Sequence, residues 1–159
     1  MNDRWTSDAG AGGTSVSQPS ELRKSGTGGL VVVVDDDESV RDSFRILLES
    51  LGFTVKTYAS GRDILRDGQC SLACCLIVDQ HMPEMDGLTT LAALRRDGLG
   101  ARTILVTGRL DAEITARAAL LDVSAVLEKP VSTARLLDII RTPLVGRHTN
   151  GRRHDQCCS

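Results

Sequence analysis

Five short runs rich in apolar and β-branched residues, Leu30 to Val34, Phe53 to Thr57, Cys74 to Val78, Thr103 to Val106 and Ala125 to Leu127, alternate with segments of helical period. Strands joined by helix-length segments need crossover connections, which make them parallel and bury them on both faces. The intervening periodicity is carried by Val40, Phe44, Leu47, Leu48 and Leu51, stopped by Gly52. It returns in Ser60 to Arg66, in Leu88, Leu91 and Ala92, in Ile114, Ala118 and Leu121, and in Leu136, Ile139 and Ile140. Right-handed crossovers then predict an α/β fold, a doubly wound (βα)5 sandwich around a five-stranded parallel sheet.

Such a sheet presents its chemistry just beyond the carboxyl ends of its strands. Asp35, Asp36 and Asp37 follow the first run and Asp79 follows the third, so carboxylates from two neighbouring strands are expected in one pocket. Their mutual repulsion is relieved by a divalent cation or a reacting group. The pattern points to a Mg²⁺ site built around a reactive aspartate. Thr107 ends the fourth strand and Lys129 follows the fifth, on the same rim. A hydroxyl there can bond a phosphoryl oxygen and an ammonium can neutralise the oxygen that remains, which outlines a phosphoryl-transfer pocket. Asp79, apart from the acidic trio, is the natural nucleophile. Asp37 and Glu38 are read more simply as acidic residues at the start of the first helix, so only Asp35 and Asp36 of this group are assigned to the pocket.

At 159 residues the chain is expected to hold one domain. Residues 1–29 include six Gly, five Ser and three Thr and lack apolar periodicity, so they are read as a flexible tail before a domain over 30–145. Residues 146–159 are read as a flexible basic tail. His148, His154, Cys157 and Cys158 within it match no standard zinc spacing, and the adjacent Cys74 and Cys75 are expected to pack as small hydrophobes. A net charge of −2 offers no broad basic field for nucleic acid. No apolar stretch reaches the roughly 20 residues needed to span a bilayer, and no signal segment opens the chain, so a cytoplasmic location without a membrane partner is expected. Apolar periodicity stops after Leu144, and the residues beyond are too few for a helix-turn-helix. No DNA-binding domain is therefore expected.

With these residues in hand, the sequence resembles the receiver domain of bacterial two-component response regulators from Leu30 to Arg141. Val33-Val34-Asp35-Asp36-Asp37 is similar to that family's acidic first-strand motif. Val78-Asp79-Gln80-His81-Met82-Pro83-Glu84-Met85-Asp86-Gly87 is similar to its phosphoacceptor followed by the Met-Pro and Asp-Gly turn. Thr107 and Lys129-Pro130 complete the set, at separations of 43 residues from Asp36 to Asp79, 28 from Asp79 to Thr107 and 50 from Asp79 to Lys129. Leu127-Glu128-Lys129-Pro130 and Thr107-Gly108 are similar to the branch in which a receiver precedes a LuxR-type DNA-binding domain.

The resemblance implies a flavodoxin-like, receiver-type fold and a single-domain response regulator that signals by protein contacts or serves as a phosphate sink. It implies that Asp79 takes a phosphoryl group from a sensor histidine kinase or a histidine phosphotransfer protein. Asp36, Asp79 and the main-chain carbonyl of His81 would ligate Mg²⁺, with Asp35 acting through water. Thr107 and Lys129 would hold the acyl phosphate, His81 and Arg109 would flank the attacking water, and the Lys129–Pro130 bond is a candidate for cis. Such a domain catalyses its own phosphorylation and dephosphorylation and is not otherwise an enzyme. A downstream protein would read its state, and a homodimer would use the fourth helix, fifth strand and fifth helix.

One residue departs from this pattern, and one motif admits a second reading. Receivers usually carry Tyr or Phe three residues before the lysine, and Val126 stands there. Asp35-x-Asp37-x-Ser39 is also similar to the haloacid dehalogenase phosphatases, which makes an aspartyl-phosphate hydrolase using Asp35 the alternative. That reading lacks the late acidic pair and leaves Asp79 without a role.

Overall fold

Val31 and Val33 are buried on one side of their strand and Val32 and Val34 on the other, so the strand has no wet face. Such a strand belongs inside a parallel sheet. The computed structural model, which describes residues 28–142, places β1 (Leu30–Val34) between β2 (Thr54–Tyr58) and β3 (Cys75–Asp79). β4 (Arg102–Thr107) and β5 (Ala125–Glu128) extend the sheet, and all pairings are parallel in the order β2-β1-β3-β4-β5.

Five helices complete the expected fold: α1 (Glu38–Ser50), α2 (Gly61–Asp67), α3 (Gly87–Arg96), α4 (Ala112–Leu120) and α5 (Thr133–Arg141). Alternation along the strands divides the core in two. Leu48 of α1 and Leu136 and Ile140 of α5 pack with Val31, Val33, Ile77, Ile104 and Val106. Ile64 of α2, Leu88, Leu91 and Leu94 of α3, and Ile114 and Ala118 of α4 pack with Val32, Val34, Leu76, Val78 and Leu105. Each large aliphatic side chain fully buried in these layers contributes about 1.5–3 kcal/mol. Cys75 is buried and Cys74 half-buried in the first of these layers, where both pack as small apolar groups.

Local chemistry sets where the helices begin. Asp37 caps α1 by accepting from the amides of Ser39 and Val40, and Asp86, Asp111 and Ser132 cap α3, α4 and α5 in the same way. Ser60 is the cap of α2 rather than its first residue. β2 begins one residue later than the sequence suggests, because the Phe53 amide donates to the Leu48 carbonyl and closes α1. Gly52 makes that turn at φ +90°, a left-handed conformation in which glycine is unstrained. β3 also runs one residue later, ending on Asp79 itself, which pairs with Val106. The short 3-10 turn Gln69–Leu72 has too few residues for a periodic signal.

Arg102, only 7% exposed, reaches from the start of β4 to the end of α5, where it donates to the carbonyls of Ile139, Ile140 and Thr142. It thereby satisfies the orphan acceptors of a helix end and fixes α5 to the sheet. Among the described residues no helix is long and apolar enough to cross a membrane. Most of the expected amino-terminal tail, with Trp5, and Arg147, His148, Arg152, Arg153, His154, Cys157 and Cys158 lie outside the described residues.

Candidate functional site

The parallel register of β1 with β3, Val34 opposite Val78, brings the residues after both strands to one edge. Asp35, Asp36 and Asp79 there offer carboxylate oxygens that all lie within 4.8 Å of one another. Asp35 and Asp79 are buried, at 2% and 4% exposure, while Asp36 faces outward. Lys129, just beyond β5, places Nζ 2.9 Å from Asp79 Oδ1 and 3.4 Å from Asp35 Oδ2. The four residues are thus assembled as expected, and the Lys129–Pro130 bond is cis.

Each carboxylate is held from its own loop. Asp35 Oδ1 accepts from the Asp37 amide at 2.9 Å, and Asp79 Oδ2 accepts from the His81 amide at 2.9 Å. Asp79 Oδ1 is buried and meets the Lys129 ammonium as an ion pair. Burial raises the Asp35 carboxyl above its ordinary value; the Asp37 amide opposes this, Asp79 adds to it and Lys129 opposes it. Burial alone would lower the Lys129 ammonium, and its contacts with Asp79 and Asp35 outweigh that and raise it.

Thr107 is fully buried at the end of β4, and its hydroxyl donates to the Arg109 carbonyl at 2.8 Å while accepting from the Arg109 amide at 3.2 Å. Its proton is therefore committed to its own loop. The His81 and Arg109 side chains are exposed beside the pocket.

Three supporting residues were not legible as such. Arg41 Nη1 donates to the carbonyls of Asp35 at 2.7 Å and Asp36 at 3.0 Å, holding the acidic turn from one helical turn away. Gly87 lies so close to β3 that a Cβ there would come within 2.5 Å of the Asp79 carbonyl oxygen. Gln80 is a buried polar residue directly after Asp79. Gln80 and Gly87 stand in the stretch that resembles the family's Met-Pro and Asp-Gly turn, which gives their place in the chain but not their contacts.

Two buried carboxylates and a third exposed one, with oxygens within 4.8 Å of one another, form a hard-oxygen donor set that suits Mg²⁺. The chemistry of these residues therefore fits the cation.

Comparison with known proteins decides the family. The family model described as "Response regulator receiver domain" matches residues 31–141. The chain belongs to this family. As a receiver domain it takes part in two-component phosphosignalling. It is 34% identical over 125 residues to the transcriptional regulatory protein FixJ of Azorhizobium caulinodans, covering 79% of this chain and 59% of that protein. It is 36% identical over 117 residues to the response regulator protein TmoT of Ectopseudomonas mendocina, covering 72% and 52%. Among solved structures, a response regulator receiver protein from Pseudomonas putida matches with a TM-score of 0.66 at 27% identity, covering 73% of this chain and 98% of that one. The Vibrio cholerae chemotaxis protein CheY4 matches with a TM-score of 0.65 at 26% identity, covering 70% and 94%.

The chain spans about half to three-fifths of the length of the curated relatives it matches. These relatives correct one expectation. The partner set without a DNA-binding domain does not stand, because several receivers similar to this one belong to proteins named as transcriptional regulators. Loss of periodicity after Leu144 describes only the residues counted, whereas an output module folds as a separate unit joined by a linker. The alternative of a haloacid dehalogenase hydrolase finds no support in the family match.

Proposed function

We propose that Asp79 is the phosphoacceptor of this receiver, and that a unit over residues 30–145 catalyses its own phosphorylation and dephosphorylation. The observation that carries this reading is Asp79 Oδ1: buried, gathered with the Asp35 and Asp36 carboxylates, and 2.9 Å from the Lys129 ammonium, which can follow the charge as it moves. A carboxylate held in place beside a mobile cation is suited to attack phosphorus.

Asp35, Asp36, Asp79 and the main-chain carbonyl of His81 would hold Mg²⁺. When bound, the cation neutralises the carboxylates and the phosphoryl oxygens that approach them. The remaining work falls to the protein's own groups. The His81 amide holds Asp79 Oδ2 and leaves Oδ1 to face the Lys129 ammonium. Asp79 Oδ1 forms the new bond to phosphorus as the bond from phosphorus to the imidazole nitrogen of a kinase phosphohistidine breaks, and the electron pair stays with that nitrogen. Lys129 then pairs with a phosphoryl oxygen. The Thr107 hydroxyl leaves the Arg109 carbonyl to donate to another. His81 and Arg109, exposed at the rim, limit how water reaches the acyl phosphate.

A cytoplasmic setting suits this exchange with a kinase. Likeness to FixJ, named a transcriptional regulatory protein, supports transcription as the process controlled. The test is incubation with a small acyl phosphate. A gain of one phosphoryl group that requires Mg²⁺ and is abolished by chelation is expected, and equal labelling without Mg²⁺ would overturn the metal-dependent reading.

A further inference from the structure

The segment between Asp79 and α3 forms an arch, His81 to Asp86, whose two feet meet at Gln80. All four polar groups of Gln80 are engaged. Its amide donates to the Val106 carbonyl at 2.7 Å, and its carbonyl accepts from the Gly87 amide at 3.1 Å. Its side-chain Oε1 accepts from the Leu88 amide at 3.1 Å, and Nε2 donates to Asp86 Oδ2 at 3.3 Å. The side chain is buried, with the residue only 6% exposed, and an amide in such a place destabilises unless both ends are satisfied. Both ends are satisfied here by the far foot of the arch.

Other ties on the arch are fewer or weaker. Met82 anchors its middle in the core at 8% exposure. Glu84 reaches Arg62 through an ion pair with both side chains more than half exposed, which holds little. The near foot is the His81 amide on Asp79 Oδ2. Asp86 at the far foot also caps α3 and pairs with Arg117 at 3.8 Å, and the Gln80 side chain joins that foot to the residue beside Asp79 by two bonds in addition to the main-chain bond from Gly87.

We propose that Gln80 is a positioning residue for the phosphoryl-transfer reaction: by clasping Leu88 and Asp86 it fixes the arch so that the His81 carbonyl faces the acidic pocket. This rests on the reading of that pocket as a Mg²⁺ site. Gln80 touches neither cation nor phosphate and acts through the main chain of its neighbour.

The test uses the whole chain and Mg²⁺ alone as the probe. Gln80→Met keeps length and packing but removes both hydrogen bonds. Gln80→Glu keeps the acceptor for Leu88 and sets a second carboxylate against Asp86. Magnesium affinity is followed by titration calorimetry, and the His81 carbonyl by its carbon-13 shift on adding Mg²⁺. Gln80→Met is expected to weaken Mg²⁺ binding at least fivefold and to shrink the His81 response. Phosphorylation by a small acyl phosphate should then need more Mg²⁺ for half-maximal rate yet reach a near-normal rate at saturation. Should Gln80→Met fail to fold, the same measurements on Gln80→Glu carry the test, with weakening in the same direction expected.

Binding within twofold of the unaltered protein in the folded variant overturns the proposal. So does an unchanged affinity with a lower rate at saturation, which would mark a merely structural role. If the unaltered protein gives no His81 response to Mg²⁺, both this proposal and the metal-pocket reading fail. A normal response that Gln80→Met leaves intact counts against Gln80 only.

Discussion

Lys129 Nζ lies 2.9 Å from Asp79 Oδ1 although β4 separates their strands in the sheet. The lysine spans that distance because it leaves β5 at the carboxyl edge, where its amide donates to the Thr107 carbonyl at 2.8 Å. One cation thus stands against Asp79 and Asp35 together, and the pocket remains acidic overall once Asp36 is included.

Removing one of these negative charges has opposite effects on fold and on metal. Asp36 is exposed, so Asp36→Ala should relieve at most about 1 kcal/mol of repulsion in the metal-free protein while weakening Mg²⁺ binding. Thermal unfolding with and without Mg²⁺ reads both. If magnesium stabilises the variant as much as the unaltered protein, the cation is held elsewhere.

Asp35 gives the metal-free protein a pH dependence of predictable sign. Its carboxyl is raised above 3.8, chiefly by burial, so stability present below pH 3.8 is lost as pH rises through the folded value. Unfolding in chelator should therefore show falling stability over that window. Asp35→Asn should remove this loss, and Mg²⁺ should suppress it. Parallel pH profiles for the variant and the unaltered protein would count against it.

Gly87 is required by space rather than by backbone freedom. A methyl group there meets the Asp79 carbonyl and Leu105, so Gly87→Ala should cost about 1–3 kcal/mol and lower phosphorylation by displacing Asp79. Gly52→Ala is the contrast. It has open space but φ +90°, so it should cost about 1 kcal/mol through strain and leave phosphorylation unchanged. Urea unfolding and phosphorylation rates separate the two.

Val126 is half-buried against the core layer of α2, α3 and α4, opposite Leu105. A β-branched side chain of this size is held to few rotamers and sweeps little volume. Beryllofluoride with Mg²⁺ should perturb amides near Asp79, Thr107 and Lys129 strongly and those of α4 and β5 modestly, with Val126→Tyr enlarging the distal response. Equal shifts in α4, β5 and the pocket of the unaltered protein would mean that another element carries the switch.

The parallel sheet was legible because its strands are apolar on both faces, as Val31 to Val34 illustrate, and because caps such as Asp37 and stops such as Gly52 mark the helix ends. The placement of Asp35, Asp79, Thr107 and Lys129 on one edge was legible because each ends or directly follows a strand, and Asp36 lies one residue further on. What stayed hidden depends on tertiary distance. Arg102 reads as a surface cation until α5 lies over it, Gly87 reads as a turn residue until its distance to Asp79 is known, and Gln80 needs the arch closed to find its partners. The limits of β2 and β3 moved by one residue because hydrogen bonds of Phe53 and pairing of Asp79 settle them, and side-chain pattern does not.

The identity of the residue that carries the acyl phosphate tests the account most directly. The protein is phosphorylated with a small acyl phosphate and Mg²⁺, reduced with borohydride, and the modified peptide is sequenced by mass spectrometry. Conversion of Asp79 alone is predicted, with none in Asp79→Asn. Modification of Asp35, or full labelling that survives Asp79→Asn, would contradict it.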